Sequence, residues 1–190
     1  MKKRPLVALA VASLSVTLFA AAMAAQAPAA ATNEPAKGPA EVIAGVYDIV
    51  GSPGGGKTPD WDAVKALFIK EAVVVLRTSR TATTVFSLDG FIQDFVDFYE
   101  KPFRRGDLTI YPKQAGFTEK VVRLKTWEFW DMAQVLVLYE AHITNDPTPP
   151  QRGIDNWLLS RRDGRWVIVA VTNDLVTKDH PVPPELAGDK

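Results

Sequence analysis

The sequence predicts an α+β fold in which helices pack on one face of a bent antiparallel sheet. Apolar residues recur with helical spacing over residues 40–50 and again over residues 87–99. Four longer segments rich in β-branched and aromatic residues follow between residues 118 and 177. Asp163-Gly164 lies between the last two and is a strong signal for a tight hairpin. A chain order in which helices are followed by a meander of strands is typical of α+β domains.

Three helices are expected before the meander. Residues 40–50 form the first, and Asp60, a favoured N-cap residue, begins a second, short one. The third begins near Ser87 and ends at Lys101-Pro102, because proline cannot continue a helix. The apolar face of the second helix consists of Trp61, Val64, Leu67 and Phe68. That of the third consists of Leu88, Phe91, Ile92, Phe95, Phe98 and Tyr99.

The strands are predicted from segments that are rich in β-branched residues or that alternate between apolar and polar residues. Val73–Arg77 predicts the first strand, and Thr83–Phe86 is a candidate for the second. The four strands of the meander are expected over residues 118–127, 132–144, 153–162 and 165–177. The prolines at 181, 183 and 184 predict an extended tail after them.

The N-terminus has the three parts of a secretory signal peptide. A basic start, Met1–Arg4, precedes an uncharged apolar run over residues 6–22 and then small residues suited to cleavage near Ala27. The run is slightly short of the roughly 20 residues that span a bilayer, so we expect cleavage, no membrane anchor afterwards, and a periplasmic or secreted protein. The predicted organisation is a signal peptide over 1–27, a disordered linker over 28–39, the domain over 40–186 and a tail over 187–190.

The composition excludes several kinds of site and partner. Without cysteine the chain forms no disulfide and carries no lipid anchor, so its stability must come from a packed core. The chain has 22 basic and 22 acidic residues, and loss of the three basic residues of the leader leaves 19 and 22. No segment is dense in Lys or Arg, which argues against nucleic-acid binding. No His, Asp or Glu cluster has metal-ligand spacing, so neither a metal nor a cofactor is predicted.

Residues Gly51–Thr58 fit the phosphate-binding pattern G-x-x-x-x-G-K-[ST] at every position. That pattern binds phosphate only between a strand and a long helix that begins within it. Here a helical segment precedes it, and Pro59 and the cap Asp60 follow it. We therefore interpret it as a flexible loop between two helices.

Several short segments, taken in order and spacing, resemble a known superfamily. They are Tyr47, Asp60–Asp62, Leu67-Phe68 leading into Val73–Val75, Gly116–Glu119, Val137–Glu140, Arg152–Asp155 and Gly164–Ile168. Together they resemble the nuclear transport factor 2-like superfamily, in particular its SnoaL-like and ketosteroid-isomerase-like branch. The resemblance covers about residues 40–186. It implies a cone, in which a curved antiparallel sheet wraps against three helices around an apolar pocket.

The resemblance also implies which residues face the pocket. Strand alternation, set by matching Tyr139-Glu140 to the family, places Val135, Val137, Tyr139, Asp155, Trp157, Leu159, Val169, Val171 and Asn173 inside. From the helices, Tyr47, Trp61, Phe91 and Phe95 would close the cone. The ligand-binding residues are expected to be Trp61, Phe91, Phe95, Val137, Tyr139, Trp157, Val171 and Asn173.

Catalytic chemistry is implied only in part. Ketosteroid isomerases use a tyrosine and a protonated aspartate as an oxyanion hole, and a carboxylate on the first strand as the base. Tyr47 and Asp155 fall on the first two positions. The base position falls on Leu76, which cannot accept a proton and so argues against steroid-type isomerisation. The alternative for Asp155 is a structural role, in which it caps a strand end or pairs with Arg152, Arg161 or another basic residue.

Three functions stay open. The preferred one is an exported domain that binds a small apolar or aromatic ligand, because an aromatic-lined apolar pocket is the usual form of such a site. The second is an isomerase, dehydratase or cyclase with Asp155 as acid and with Tyr47 and Asn173 as positioning donors. The third is a protein-interaction module that uses the outer sheet face, where Glu140 and His142 are expected. The resemblance implies a homodimer through the same face.

Overall fold

The computed structural model describes residues 37–77 and 82–188. The predicted signal peptide and residues 28–36 of the predicted linker lie outside these residues. The helices are α1 (Pro39–Val50), α2 (Trp61–Lys65), α3 (Leu88–Glu100) and α4 (Pro112–Ala115), with a 3₁₀ helix at Pro184–Leu186. The strands are β1 (Phe68–Arg77), β2 (Thr83–Ser87), β3 (Phe103–Arg105), β4 (Leu108–Ile110), β5 (Phe117–Phe129), β6 (Met132–Ile143), β7 (Gln151–Arg162) and β8 (Arg165–Leu175).

The three predicted helices are present, and side chains cap two of them. Asp60 accepts a hydrogen bond from the Ala63 amide at 3.0 Å and begins α2. Ser87 accepts one from the Gly90 amide at 3.2 Å and begins α3. Helix α2 is shorter than its apolar pattern suggested, because Phe68 is already the first residue of β1.

Six strands form one curved sheet in the order β2-β1-β8-β7-β6-β5. This confirms the α+β class. Neighbouring strands are antiparallel except β1 and β8, which run parallel, so the sheet is not wholly antiparallel as expected. The turn Asp163-Gly164 has positive φ at both residues, 49° and 76°, and joins β7 to β8 as the hairpin signal predicted. The small sheet β3–β4 and helix α4 were not predicted.

The concave face of the sheet packs against α1 and α3 and forms the core. The predicted alternation is correct on β6 and β7, where Val135, Val137, Tyr139, Asp155, Trp157 and Leu159 are buried. On β8 the prediction for Val169 is wrong. The register between β7 and β8 shifts after Leu158, and Ile168 instead of Val169 pairs with Leu159 and lies fully buried. A β-bulge therefore moves the inward positions by one residue.

The glycine-rich segment 51–58 lies between α1 and α2, as predicted. Its backbone is held by the rest of the fold: the amides of Gly55 and Gly56 donate to the carbonyl oxygens of Gln114 and Lys113 at 2.9 and 3.0 Å. The Gly54 amide donates to the Ser52 hydroxyl. Because these amides are already bonded within the protein, they cannot cradle a phosphate group.

Residues 184–188, the last that the structure describes, lie on the convex face of the sheet. The 3₁₀ helix contacts β5, and its Leu186 is 1% exposed. Gly188 lies against the guanidinium of Arg123, which pairs across the strands with Leu138. Leu138 itself is buried although it points to the convex side. The far end of this face, near the β5–β6 hairpin, exposes Trp127, Phe129, Met132 and Leu158.

None of the described helices has the length and apolarity to cross a membrane.

Candidate functional site

A cavity of about 270 Å³ lies between the concave face of the sheet and helices α1 and α3. Helices contribute Val46, Tyr47, Val50, Phe91, Phe95 and Phe98 to its wall, and strands contribute Phe117, Glu119, Tyr139, Trp157 and Val171. A second cleft, of about 540 Å³, adjoins it and shares Arg77, Phe98, Phe117 and Gln151. The inner cavity is therefore mostly apolar and aromatic, and its polar groups are few enough to follow one by one.

Asp155 is the centre of the polar cluster. It is 7% exposed and lies on β7, where the inward alternation of the strand points it at the cavity. The Tyr47 hydroxyl donates a short hydrogen bond to one carboxyl oxygen. The Asn173 side-chain amide donates to the other at 2.7 Å, and the Trp157 indole donates to the Tyr47 oxygen at 3.2 Å. Helix α1 and strands β7 and β8 are thereby joined through one carboxyl group.

A hydrogen bond from the neighbouring strand β1 fixes the orientation of the Asn173 side chain. The backbone amide of Arg77 on β1 donates to the Asn173 carbonyl oxygen at 3.3 Å. The Asn173 amide nitrogen is thus turned inward and also donates to the Tyr139 hydroxyl, at 3.0 Å. Since that hydroxyl accepts this bond and its own proton has no acceptor among the described residues, Tyr139 can donate to a ligand.

Gly153 makes room for Tyr139. A β-carbon at position 153 would lie 2.3 Å from the Tyr139 hydroxyl oxygen and 2.4 Å from the ring carbon that carries it. The Tyr139 ring therefore lies directly over the backbone of β7, and only glycine allows this approach.

The electrostatics of the cluster follow from burial. Burial raises the pKa of Asp155 to about 6, although the hydrogen bonds from Tyr47 and Asn173 lower it. Burial and the neighbouring Asp155 charge together raise the pKa of Tyr47 far above its usual value. Near neutral pH, Asp155 is therefore mainly a carboxylate and Tyr47 keeps its proton.

Glu119 is a second carboxyl group in the cavity wall, and it was not among the predicted site residues. It lies on β5 opposite Ala141 of β6, between the inward residues Phe117 and Val121. Burial, and then the charge of Asp155, raise the pKa of Glu119 to about 8. Strand alternation could have found it, since it is the charged member of an otherwise apolar inward series.

The structure brings most of the predicted site residues together, with two exceptions. Tyr47, Phe91, Phe95, Tyr139, Asp155, Trp157, Val171 and Asn173 all line the cavity. Val137 does not, because it is fully buried in the core behind the wall. Trp61 does not either; its ring packs on Phe95 and Tyr99, with centroids 5.7 and 6.1 Å away. Leu76 lines the cavity as a leucine, so no base is present at that position.

Asp155 does not pair with either of the two arginines considered as its structural partners. Arg152 lies 3.5 Å from Glu140, and Arg161 lies 4.0 Å from Asp131, so neither arginine compensates Asp155. His142 is half-buried and contributes to the adjoining cleft. Within residues 37–77 and 82–188, no group of three His, Asp or Glu side chains could hold a metal ion.

Comparisons with solved structures identify the fold. A nuclear transport factor 2-like protein with a cystatin-like fold from Novosphingobium aromaticivorans matches 74% of this chain and 82% of its own, with a TM-score of 0.52 and 13% identity. A protein from Parabacteroides distasonis, provisionally described as a ketosteroid isomerase, matches 75% and 91%, with a TM-score of 0.48 and 11% identity. A nuclear transport factor 2-like protein of unknown function from Shewanella baltica matches 72% and 93%, with a TM-score of 0.44 and 13% identity.

The chain therefore has the nuclear transport factor 2-like, cystatin-like fold, which confirms the resemblance at the level of the fold. No protein-family model matches the sequence, and no curated protein matches it. Because this fold carries many unrelated activities, the function has to be argued from the site.

Proposed function

We propose that the domain binds one small, largely apolar molecule inside the cone. The observation that carries this proposal is the cavity of about 270 Å³, with an apolar, aromatic wall and a fixed polar cluster on one side. Small-molecule sites usually combine such a wall with a few placed polar groups. The volume is close to the lower end of the usual range, ~300 Å³, and fits a ligand of about one ring.

The polar cluster would orient this ligand. Asn173 donates to Asp155 and accepts from the Arg77 backbone amide, so these two side chains need not reorganise when a ligand enters. The Tyr139 hydroxyl is the group placed to donate a hydrogen bond to the ligand. A preorganised donor of this kind costs little entropy on binding.

Thermal denaturation with a panel of single-ring compounds tests the proposal. A ligand at 100 times its dissociation constant stabilises by about 2.7 kcal/mol, which corresponds to roughly 5–10 °C for a domain of this size. Ala141→Leu places a larger side chain in the cavity wall and should remove the rise in melting temperature. Ala170→Leu, on the convex face of β8, is the matched control and should retain it. A panel in which no compound raises the melting temperature contradicts the proposal.

A proton-transfer enzyme is the second candidate, and one observation favours it. Glu119 supplies a carboxyl group in the same cavity as the Tyr47–Asp155 pair, although position 76 lacks a base. The Glu119 carboxylate would take a proton from a carbon next to a ligand carbonyl, leaving the electron pair on the carbonyl oxygen. Tyr139 would donate a hydrogen bond to that oxygen. Return of the proton to another carbon gives an isomer. If the neighbouring carbon carries a hydroxyl group, that group leaves with the proton held by Glu119 as water and gives a dehydrated product.

Deuterium exchange into an enolisable ketone tests this second candidate without knowledge of the substrate. The protein should accelerate exchange of carbon-bound protons of 2-tetralone in D₂O, followed by NMR. The rate should rise with pH up to about 8, because Glu119 is a base only when ionised. Glu119→Gln should remove the acceleration, and Asp155→Asn should reduce it. Exchange no faster than in buffer alone counts against an enzyme of this type.

We also propose that the protein works after export and as a dimer. The basic start and apolar run of the N-terminus support export, and the mass of the protein recovered from the periplasm or medium tests cleavage near Ala27. The exposed residues Trp127, Phe129 and Met132 support a contact through the convex face. Sedimentation of the wild type and of Phe129→Glu measures that contact.

A further inference from the structure

We propose that the ligand is an organic amine, held with its ammonium group beside Glu119 and its apolar body among the phenylalanines of the cavity, an assignment that rests on the binding function proposed above. It is distinct from the enzymatic alternative, because it requires recognition of a positive charge and no reaction.

The wall of the cavity carries more acidic than basic side chains. Asp94 from α3, Glu119 from β5 and Asp155 from β7 all line it. Among the described lining residues the one basic side chain is Arg77, whose guanidinium makes hydrogen bonds of 3.0 and 3.1 Å to the two carboxyl oxygens of Asp174. A ligand cation therefore meets carboxyl groups that no other basic side chain of the described wall compensates, and it is favoured over a ligand anion.

Glu119 differs from Asp155 in its partners. Asp155 accepts hydrogen bonds from Tyr47 and Asn173. Within residues 37–77 and 82–188, Glu119 has neither a hydrogen-bond donor nor an ion-pair partner. A carboxyl group at the edge of an apolar cavity is best satisfied by a group that brings both a positive charge and N–H donors. An ammonium group supplies both.

The remaining wall suits the body of an aromatic or aliphatic amine. Phe91, Phe95, Phe98 and Phe117 line the cavity. Such rings bury apolar carbon atoms and also attract a nearby cation through their π-electrons. With about 270 Å³ available, one ring with a short aminoalkyl chain matches the space.

Release of a proton from Glu119 on ligand binding would distinguish an amine from a neutral ligand. The titratable groups that act on Glu119 or share its cavity are Asp155, Tyr139, Tyr47, Tyr99, Asp94 and the Arg77–Asp174 pair. Of these, Asp155 contributes to raising the pKa of Glu119, after burial. Near neutral pH the free protein therefore holds Glu119 mainly as the neutral acid. A bound ammonium group ionises it, and the proton is released to the buffer.

Calorimetric titration near neutral pH tests the assignment with three probes of one shape: phenethylamine, phenethyl alcohol and 3-phenylpropionate. We expect the amine to bind about tenfold more tightly than the alcohol, and the carboxylate to bind weakest. Titrations in two buffers of different ionisation enthalpy should show proton release with the amine and none with the alcohol. Glu119→Gln should abolish the proton release and lower the amine-to-alcohol affinity ratio. Glu140→Gln, on the outer face, should leave both unchanged.

The outcomes separate this assignment from the binding function itself. If the alcohol or the carboxylate binds as tightly as the amine, the amine assignment is wrong and the binding function stands. If none of the three probes and no compound of the wider panel binds, the binding function fails. Asp94→Asn is the second variant, and it should also lower the amine-to-alcohol ratio because it removes charge from the same wall. An unchanged ratio in both variants overturns the assignment.

Discussion

Glu119→Gln is expected to stabilise the ligand-free protein at alkaline pH and to leave its stability nearly unchanged in acid. The pKa of this carboxyl rises from 4.5 to about 8 on folding, chiefly through burial. Between these two values the folded protein binds a proton that the unfolded chain has released. The free energy of unfolding therefore falls as the pH rises from about 4.5, and the loss is complete above about 8.

The size of the effect follows from the same pKa values. One pKa unit is worth about 1.4 kcal/mol, so the rise from 4.5 to about 8 sets an upper bound of about 5 kcal/mol. Glu119 is only partly buried, and water that reaches its carboxyl group lowers the cost. We expect Glu119→Gln to gain about 2–4 kcal/mol near pH 9 and less than about 1 kcal/mol near pH 5.

Urea denaturation of the wild type and the variant at both pH values measures this difference. Glu140→Gln is the matched control, because Glu140 lies on the convex face beside Arg152 and is well exposed. The control should show no gain that grows with pH. A gain for Glu119→Gln that is equal at both pH values, or a loss at alkaline pH, would refute the burial of an uncompensated charge at this position.

Three further substitutions test other parts of the site and the fold. Gly153→Ala forces the Tyr139 ring out of place, and we expect a loss of about 2 kcal/mol and no ligand-induced shift in thermal melts. Tyr47→Phe removes a hydrogen bond that lowers the pKa of Asp155; we expect that pKa to rise above about 6 in carboxyl ¹³C NMR, and stability to fall by about 2–4 kcal/mol in urea. Leu186→Ala should cost about 2–4 kcal/mol in the same assay, although it lies close to the C-terminus.

Each of these has a matched control. Gly45→Ala adds a methyl group in α1 where no atom lies within 4 Å, so it should stabilise by up to about 1 kcal/mol. Tyr99→Phe removes a buried hydroxyl that donates to the Val50 carbonyl at 2.7 Å, and should leave the pKa of Asp155 unchanged. Glu185→Ala, on the exposed side of the 3₁₀ helix, should be neutral. Equal effects in a variant and its control would contradict the contact assigned to that variant.

Local patterns in the sequence predicted most elements, but not the pairing of the sheet. Helix α3 could be predicted because its apolar stripe, its Ser87 cap and the Lys101-Pro102 stop all agree. The parallel pairing of β1 with β8 joins segments about 100 residues apart, and no local pattern specifies it. The inward position of Val169 was mispredicted for a related reason: one extra residue in a bulge shifts the alternation, and the sequence does not mark where the bulge occurs.

The polar cluster could be predicted only through the resemblance, and incompletely. Position by position, it indicated Tyr47 and Asp155, which the structure places in direct contact. It gave no reason to consider Glu119, because it placed the base on the first strand, where this chain has Leu76. Trp61 was expected at the ligand because it lies on the apolar face of α2, yet that face packs on α3. An apolar helix face shows that a side chain is buried, and it does not show whether the neighbour is a cavity or another helix.

The two carboxyl groups of the cavity differ in what the fold requires of them. Asp155 connects Tyr47, Asn173 and, through Tyr47, Trp157, so its loss would leave buried donors without acceptors and weaken the core. Glu119 connects nothing among the described residues, and its inward neighbours on β5 are apolar. A leucine at position 119 could line the cavity as Leu76 does, and it would avoid the electrostatic cost of a buried carboxyl group. Among the described residues nothing in the fold uses the Glu119 carboxyl group, and the amine proposed above would give it a partner. Substitution of Glu119 should therefore raise stability and reduce ligand selectivity, whereas substitution of Asp155 should reduce both.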